Sequence, residues 1–183
     1  MNLYVVRHGQ TDWNIQNKIQ GFSDIPLNAT GLEQANNLKK QLSKFSIDKI
    51  YASPLIRTVQ TANILNQVLH VPIELENRLI ERNFGIYEGT VAQINLPDYF
   101  DYEKNLSTND VEPIQDLFHR VWSFLDELIE KHPNGNILLV THGGTYRAIY
   151  SYFHGILSAS QILSCKLHNC EVHQFIGGKY ETK

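Results

Sequence analysis

Ile137-Leu138-Leu139-Val140-Thr141 is a near-continuous apolar run, set off upstream by Pro133-Asn134-Gly135. A strand with one wet face alternates apolar and polar residues. An unbroken run is the pattern of a strand covered on both faces, as in parallel sheets sandwiched between helices. Leu3–Val6, Asp48–Ala52 and Pro72–Leu75 read as further short strands. Between them, Leu32, Ala35, Leu38, Leu42 and Phe45 recur at helical intervals, as do Leu55, Val59, Ala62, Leu65 and Leu69. Residues 113–131 repeat the pattern, and another helical stretch starts at Gly144.

Helix starts are also readable. Thr30 and Glu33 have capping-box spacing, with Thr30 at the N-cap. Ser53-Pro54 reads as an N-cap followed by proline at the first helical position. Residues 12–27 read as a loop, and residues 85–112 as a small, irregular, acidic and aromatic lid. Val172–Ile176, Gly177-Gly178 and Lys179–Thr182 read as a hairpin. The pattern predicts an α/β fold: three α/β/α layers, a mostly parallel sheet, an antiparallel C-terminal edge hairpin and the lid at about 85–112. With no internal repeat or linker, residues 1–183 read as a single domain. A chain of this length buries roughly 70% of the surface it exposes when unfolded, enough for a core without staples.

The formal net charge of −3 argues against nucleic acid as a partner. Cys165 and Cys170 match neither a zinc nor a redox spacing and read as free thiols in a reducing compartment. No apolar stretch approaches the ~20 residues of a membrane span. A cytoplasmic protein without membrane contact is expected; oligomeric state is not legible.

Chemistry collects at the strand ends. Arg7-His8-Gly9 follows the first strand, and Thr141-His142-Gly143-Gly144 follows the late one. In open α/β sheets ligands bind at the carboxyl ends of strands. If the two strands are neighbours, His8 and His142 converge. Arg57 lies in the first turn of the helix after the second strand, and Glu81 follows the third. Two arginines, two histidines and a carboxylate suit a phosphate clamp. Guanidinium forks bind phosphoryl oxygens, an imidazole attacks phosphorus, and a carboxylic acid protonates the leaving oxygen. Spacing alone does not choose Glu81 over Glu76 or Glu88. The nucleophilic histidine must be neutral, which neighbouring cations favour. His70, His119, His132, His154, His168 and His173 show no ligand spacing and read as scattered surface or core residues. No metal or other cofactor is expected.

These blocks resemble the histidine phosphatase superfamily, the phosphoglycerate-mutase-like proteins. The resemblance rests on Arg7-His8-Gly9 with Thr11 and Trp13-Asn14, on Gln20-Gly21, on Ser53-Pro54-Leu55 with Arg57, on Leu79, Glu81, Phe84-Gly85 and Glu88-Gly89, and on Val140-Thr141-His142-Gly143-Gly144, in order along the chain. It implies that His8 becomes phosphohistidine and that Arg7, Arg57 and His142 hold the phosphoryl oxygens. It implies Glu81 as general acid and then base. Asn14, Gln20, Gly21 and the Gly143 backbone would line the phosphate pocket. Lys18 departs from the pattern, since many relatives carry arginine there; lysine offers a point charge instead of a fork.

Such proteins divide mainly into mutases and phosphatases. The segment after the acid-bearing block is short here, and Asp98, Asp101, Glu103, Asp110 and Glu112 face only Lys104. An acidic lid repels a bisphosphate. The expectation is therefore a phosphomonoester hydrolase for a small phosphorylated metabolite with a neutral or apolar remainder. Ribazole phosphate, sugar phosphates and phosphoamino acids all fit the resemblance. Phosphoglycerate mutase is the alternative reaction, and a non-catalytic phosphate-binding protein the alternative class.

Overall fold

The computed structural model describes residues 1–91 and 96–176. Five strands form one sheet: β1 (Asn2–Arg7), β2 (Lys49–Ala52), β3 (Ile73–Leu75), β4 (Asn136–Thr141) and β5 (Val172–Ile176). Their order is β3-β2-β4-β1-β5. The first four run parallel, and β5 pairs antiparallel with β1 at the edge. The second arm of the expected hairpin, from Gly177 onward, lies outside the described residues. The helices are α1 (Asp12–Ile15), α2 (Ala29–Leu42), α3 (Ile56–Leu69), α4 (Leu96–Tyr99), α5 (Ile114–Lys131), α6 (Gly143–His154) and α7 (Ala159–Ser164).

The apolar strands explain the layers. Successive strand residues point to opposite faces. Leu3, Val5, Ile137 and Leu139 share one core with α5 and α6. Tyr4, Val6, Leu138 and Val140 share a second core with α2 and α3. The run in β4 thus feeds both sides, and Leu138, Leu139 and Val140 are fully buried. Burying each such side chain is worth about 1.5–3 kcal/mol.

Several local readings need correction. The N-cap of α2 is Asn28, whose Oδ1 accepts from Gly31 N at 2.8 Å; Thr30 is exposed inside the first turn. Ser53 does not cap α3. That helix starts at Ile56, whose N–H donates to Asp24 Oδ1 at 2.6 Å. The residue that approaches α3 in space displaces the one that precedes it in sequence. The 12–27 loop opens with the short helix α1, closed by a capping box between Thr11 and Asn14. α7, capped by Ser158 and Gln161, follows a stretch without clear periodicity. In the 85–112 segment Tyr99, Phe100 and Val111 are buried in the α5/α6 core, and the Tyr102 ring packs on Phe118 at 5.5 Å. No helix among the described residues is long and apolar enough to cross a membrane.

Loss of an N-cap side chain costs about 1 kcal/mol. Asn28→Ala is therefore expected to lower unfolding stability by about that amount in urea titration, and Thr30→Ala to stay within about 0.5 kcal/mol of wild type. Equal losses in the two variants would return the cap to Thr30.

Candidate active site

Parallel pairing sets Arg7 opposite Thr141, and His8 N then donates to Thr141 O at 3.0 Å. Both histidines leave the sheet at one level, with ring centroids 5.3 Å apart. His8 is 3% exposed. Its Nδ1 lies 2.7 Å from Gly9 O. A carbonyl only accepts, so Nδ1 carries the proton and Nε2 keeps its lone pair. The ring's pKa is held well below 6.5, first by burial and then by the Arg57 and Arg7 charges. The cations inferred from sequence contribute, but desolvation is the larger cause.

His142 is fully buried, and its pKa is likewise pushed well below 6.5, first by burial, then by Arg57. Its Nδ1 accepts from Arg57 Nε at 3.2 Å, and its Nε2 lies 2.8 Å from Ser53 Oγ. With Nδ1 accepting, the neutral ring carries its proton on Nε2 and donates it to Ser53. No N–H of that ring is left for a phosphoryl oxygen. Arg57, also fully buried, donates Nη1 to Ser23 O at 2.7 Å and Nη2 to Gly21 O at 2.8 Å. Burial lowers its pKa to about 10, so it remains a cation near neutral pH. Among the described residues three of its five N–H groups are used, and two remain for a ligand. Gly21 has φ +51°, and a Cβ there would sit 1.9 Å from Glu88 Oε1. Glu88 in turn accepts from Phe22 N, Ser23 N and Phe84 N, tying the Gln20-Gly21 turn to the segment after β3.

Glu81 sits against the start of α6. Its Oε1 accepts from Arg82 N and Thr145 N at 2.9 and 3.1 Å, and its Oε2 from Gly144 N at 3.0 Å. A Cβ on Gly144 would lie 2.4 Å from Glu81 Oε1, so only glycine admits the carboxylate. The backbone beneath is held by Arg120 of α5, which donates to Ile80 O at 2.7 Å and Glu81 O at 3.0 Å while paired with Glu112 at 2.7 Å. Of the three carboxylates that spacing left open, Glu81 is the one that lines the cavity. Glu76 pairs with Arg78, and Glu88 is spent on backbone N–H groups. Arg7 donates Nη1 to Leu167 O at 3.1 Å, and its buried Nε has no partner among the described residues.

A cavity of about 470 Å³ gathers these groups: Arg7, His8, Arg57, Glu81 and Gly143 all line it. Asn14, Gln20 and Gly21 line it too. Asn14 spends Oδ1 on Thr11, and its amide N–H groups have no protein acceptor among the described residues. Gln20 Oε1 is buried without a partner among the described residues, and a 180° turn of the amide puts its donor there instead. His142 is bonded to Arg57 beneath the cavity and does not line it.

Sequence reading missed Arg147, Lys166 and His168 in the lining, along with the wall residues Leu163 and Leu167. Arg147 was findable: it lies one helical turn beyond Gly143 on α6. Lys166 and His168 belong to the stretch after α7 that carried no signal. The acidic lid is also corrected. None of Asp98, Asp101, Glu103, Asp110 and Glu112 lines the cavity. Asp98 pairs with Lys104, Asp101 accepts backbone N–H groups, and Glu112 pairs with Arg120. Among the described residues the lining instead holds Arg7, Lys18, Arg57, Arg147 and Lys166 against the single carboxylate of Glu81. Among the described residues no cluster of three or more His, Cys, Asp or Glu could hold a metal ion.

The histidine phosphatase superfamily (branch 1) model matches residues 3–182. The phosphatase PhoE of Bacillus subtilis, itself described as uncharacterized, is 37% identical over 170 residues, 91% of this chain and 86% of that protein. Phosphoglycerate mutase-like protein 4 of Arabidopsis thaliana is 34% identical over 158 residues, 81% of this chain and 69% of that protein. Among solved structures, a mycobacterial glucosyl-3-phosphoglycerate phosphatase complexed with VO3 superposes with a TM-score of 0.84 at 26% identity. The match covers 94% of this chain and 90% of that one.

The buried histidines link stability to acid. Their folded pKa values lie below the unfolded value near 6.5, so the unfolded state binds more protons once pH falls under that value. Stability is complete above about pH 6.5 and is lost as pH falls toward the folded values, by up to about 1.4 kcal/mol per pH unit per histidine. Denaturant titrations from pH 7.5 down to pH 5 are expected to show a shallower loss for His8→Gln than for wild type. Parallel curves would show that His8 is not held neutral.

Proposed function

Because the chain belongs to branch 1 of the histidine phosphatase superfamily and is an enzyme that hydrolyses small phosphomonoesters, we propose that the hydrolysis runs through a phosphohistidine on His8. The observation that carries this reading is the protonation pattern of one buried ring. Nδ1–H is fixed on Gly9 O, which leaves Nε2 as an unprotonated nucleophile beside an unpartnered Arg7 Nε.

In the first step Nε2 of His8 bonds to phosphorus while the ester P–O bond breaks, and Glu81 gives its proton to the departing oxygen. Oε2 accepts one backbone N–H where Oε1 accepts two, so Oε2 is the oxygen with room for that proton. In the second step water attacks phosphorus, its proton passes to Glu81, and the N–P bond breaks to release inorganic phosphate. Arg7 Nε, the two Arg57 N–H groups that no described residue accepts and the backbone of Gly143 at the start of α6 stabilise charge on the transferring oxygens, which is the main demand of phosphoryl transfer. Asn14 and Gln20 complete the pocket. His142 acts through Arg57, holding the guanidinium at the cavity floor and packing against the nucleophilic ring. Direct contact between His142 and a phosphoryl oxygen would require a second proton on Nδ1 and release of Arg57 Nε. The segment at 85–112 reads as a lid integral to one domain, since Arg82 ties it to the acid-bearing loop through Tyr99 O and Glu112 O.

The substrate is a small phosphorylated metabolite, with neither nucleic acid nor membrane involved. Hydrolysis of p-nitrophenyl phosphate in chelator, lost in His8→Ala, with an acid-labile phosphoryl adduct trapped on His8 in wild type, tests the reading. Isomerisation of phosphoglycerate without net release of phosphate would replace it with a mutase. Arg57→Lys keeps the charge but loses the fork, and is expected to lower kcat by about 100- to 1000-fold. An unchanged kcat removes Arg57 from the transition state. Glu81→Gln is expected to slow alkyl phosphates more than aryl ones, because a good leaving group needs less protonation. Equal losses on both would point to another acid.

A further inference from the structure

We propose that Arg147 selects phosphomonoesters that carry a carboxylate a few bonds from the phosphate. The proposal rests on the hydrolase reading above. Its first observation is a surplus of charge. Five cations, Arg7, Lys18, Arg57, Arg147 and Lys166, line the cavity with one carboxylate, and none of the five makes an ion pair among the described residues. A phosphate dianion engaged by Arg7 and Arg57 leaves three of them unanswered.

The second observation is how Arg147 is held. Its Nε donates to Ile162 O at 3.0 Å and its Nη1 to Gly143 O at 3.2 Å. The rest of the fork has no protein acceptor among the described residues. The guanidinium lies over the Phe100 ring, 5.2 Å from its centroid, which fixes the plane of the fork. Burial lowers its pKa, and the attraction of Glu81 works against that shift. A guanidinium pre-oriented on an aromatic face, half-buried and without a counter-ion, is suited to an incoming planar anion.

The third observation is distance. A point at an ideal Cβ of Gly143 lies 3.7 Å from Arg147 Nη1 and 3.8 Å from Arg7 Cζ. The two guanidinia therefore flank the start of α6 together. An anion on Arg147 sits only a few bonds from a phosphoryl group on Arg7. Phe100, Leu163 and Leu167 supply an apolar wall for the carbons between them. A cavity of about 470 Å³ suits a phosphorylated hydroxy or amino acid of this size. Lys166, exposed at the rim, adds long-range attraction.

O-Phosphoserine and O-phosphoethanolamine differ by one carboxylate and share an alkyl leaving group. Wild type is expected to favour phosphoserine by about tenfold or more in kcat/KM, the factor expected for one charged hydrogen-bonded pair. In Arg147→Ala that ratio is expected to fall to near one, through a raised KM for phosphoserine, with Arg147→Lys intermediate. If Arg147→Ala does not fold by circular dichroism, Arg147→Lys and the exposed-site variant Lys166→Glu carry the test, and each is expected to lower the ratio. A wild-type ratio near one, or a ratio that the variants leave in place, overturns the proposal while the hydrolase reading stands. Absence of turnover on both esters and on p-nitrophenyl phosphate strikes the hydrolase reading itself, and the proposal with it.

Discussion

Hydrogen bonding between β1 and β4 sets Arg7 opposite Thr141, so the chain leaves both strands at one height and His8 and His142 arrive side by side in the interior. A slip of one residue would turn the apolar side chains of a strand to the wrong core, because the side-chain period in a strand is two. The two cores enforce the register, and the register brings the two rings together. The same pairing extends to β2, whose Ala52 lies opposite Val140, so the segment leading into α3 delivers Ser53 and Arg57 to the same end of the sheet.

Burying cations without carboxylates is unfavourable unless hydrogen bonds compensate. Backbone carbonyls do much of this work. Gly21 O and Ser23 O serve Arg57, Leu167 O serves Arg7, and Tyr99 O and Glu112 O serve Arg82. Carbonyls satisfy donors without neutralising charge, so the cavity stays positive. Burial beside these cations holds both histidines neutral, and the proposed mechanism uses one of them as its nucleophile. A phosphorylated ligand supplies the negative charge that the lining lacks.

Much of the architecture was legible in local pattern. The strand segments, the major helices and the parallel order follow from period and from glycine and proline punctuation. His8, Arg7 and Arg57 were legible as strand-end and helix-start chemistry, and the motif blocks in order pointed to the family. Caps were less legible. Asn28 displaces Thr30, and Asp24 displaces Ser53, because a cap belongs to whichever polar group the fold brings to the first N–H groups. The acidic residues after Glu81 were misread as a lid charge facing substrate. Composition gives their sign but not their direction: Asp98 pairs with Lys104, Glu112 pairs with Arg120, and none of the five lines the cavity.

By itself the sequence determined the kinds of chemical groups and the ends of the elements that carry them, because apolar period and backbone punctuation are local properties. Only the tertiary structure decided which carboxylate meets α6, which nitrogen of His8 is free, and that Arg147 joins the cavity. Those depend on hydrogen bonds and burial between segments tens of residues apart. Glu81 is held by Gly144 and Thr145, and Arg57 by Gly21, Ser23 and His142, contacts that no local window contains.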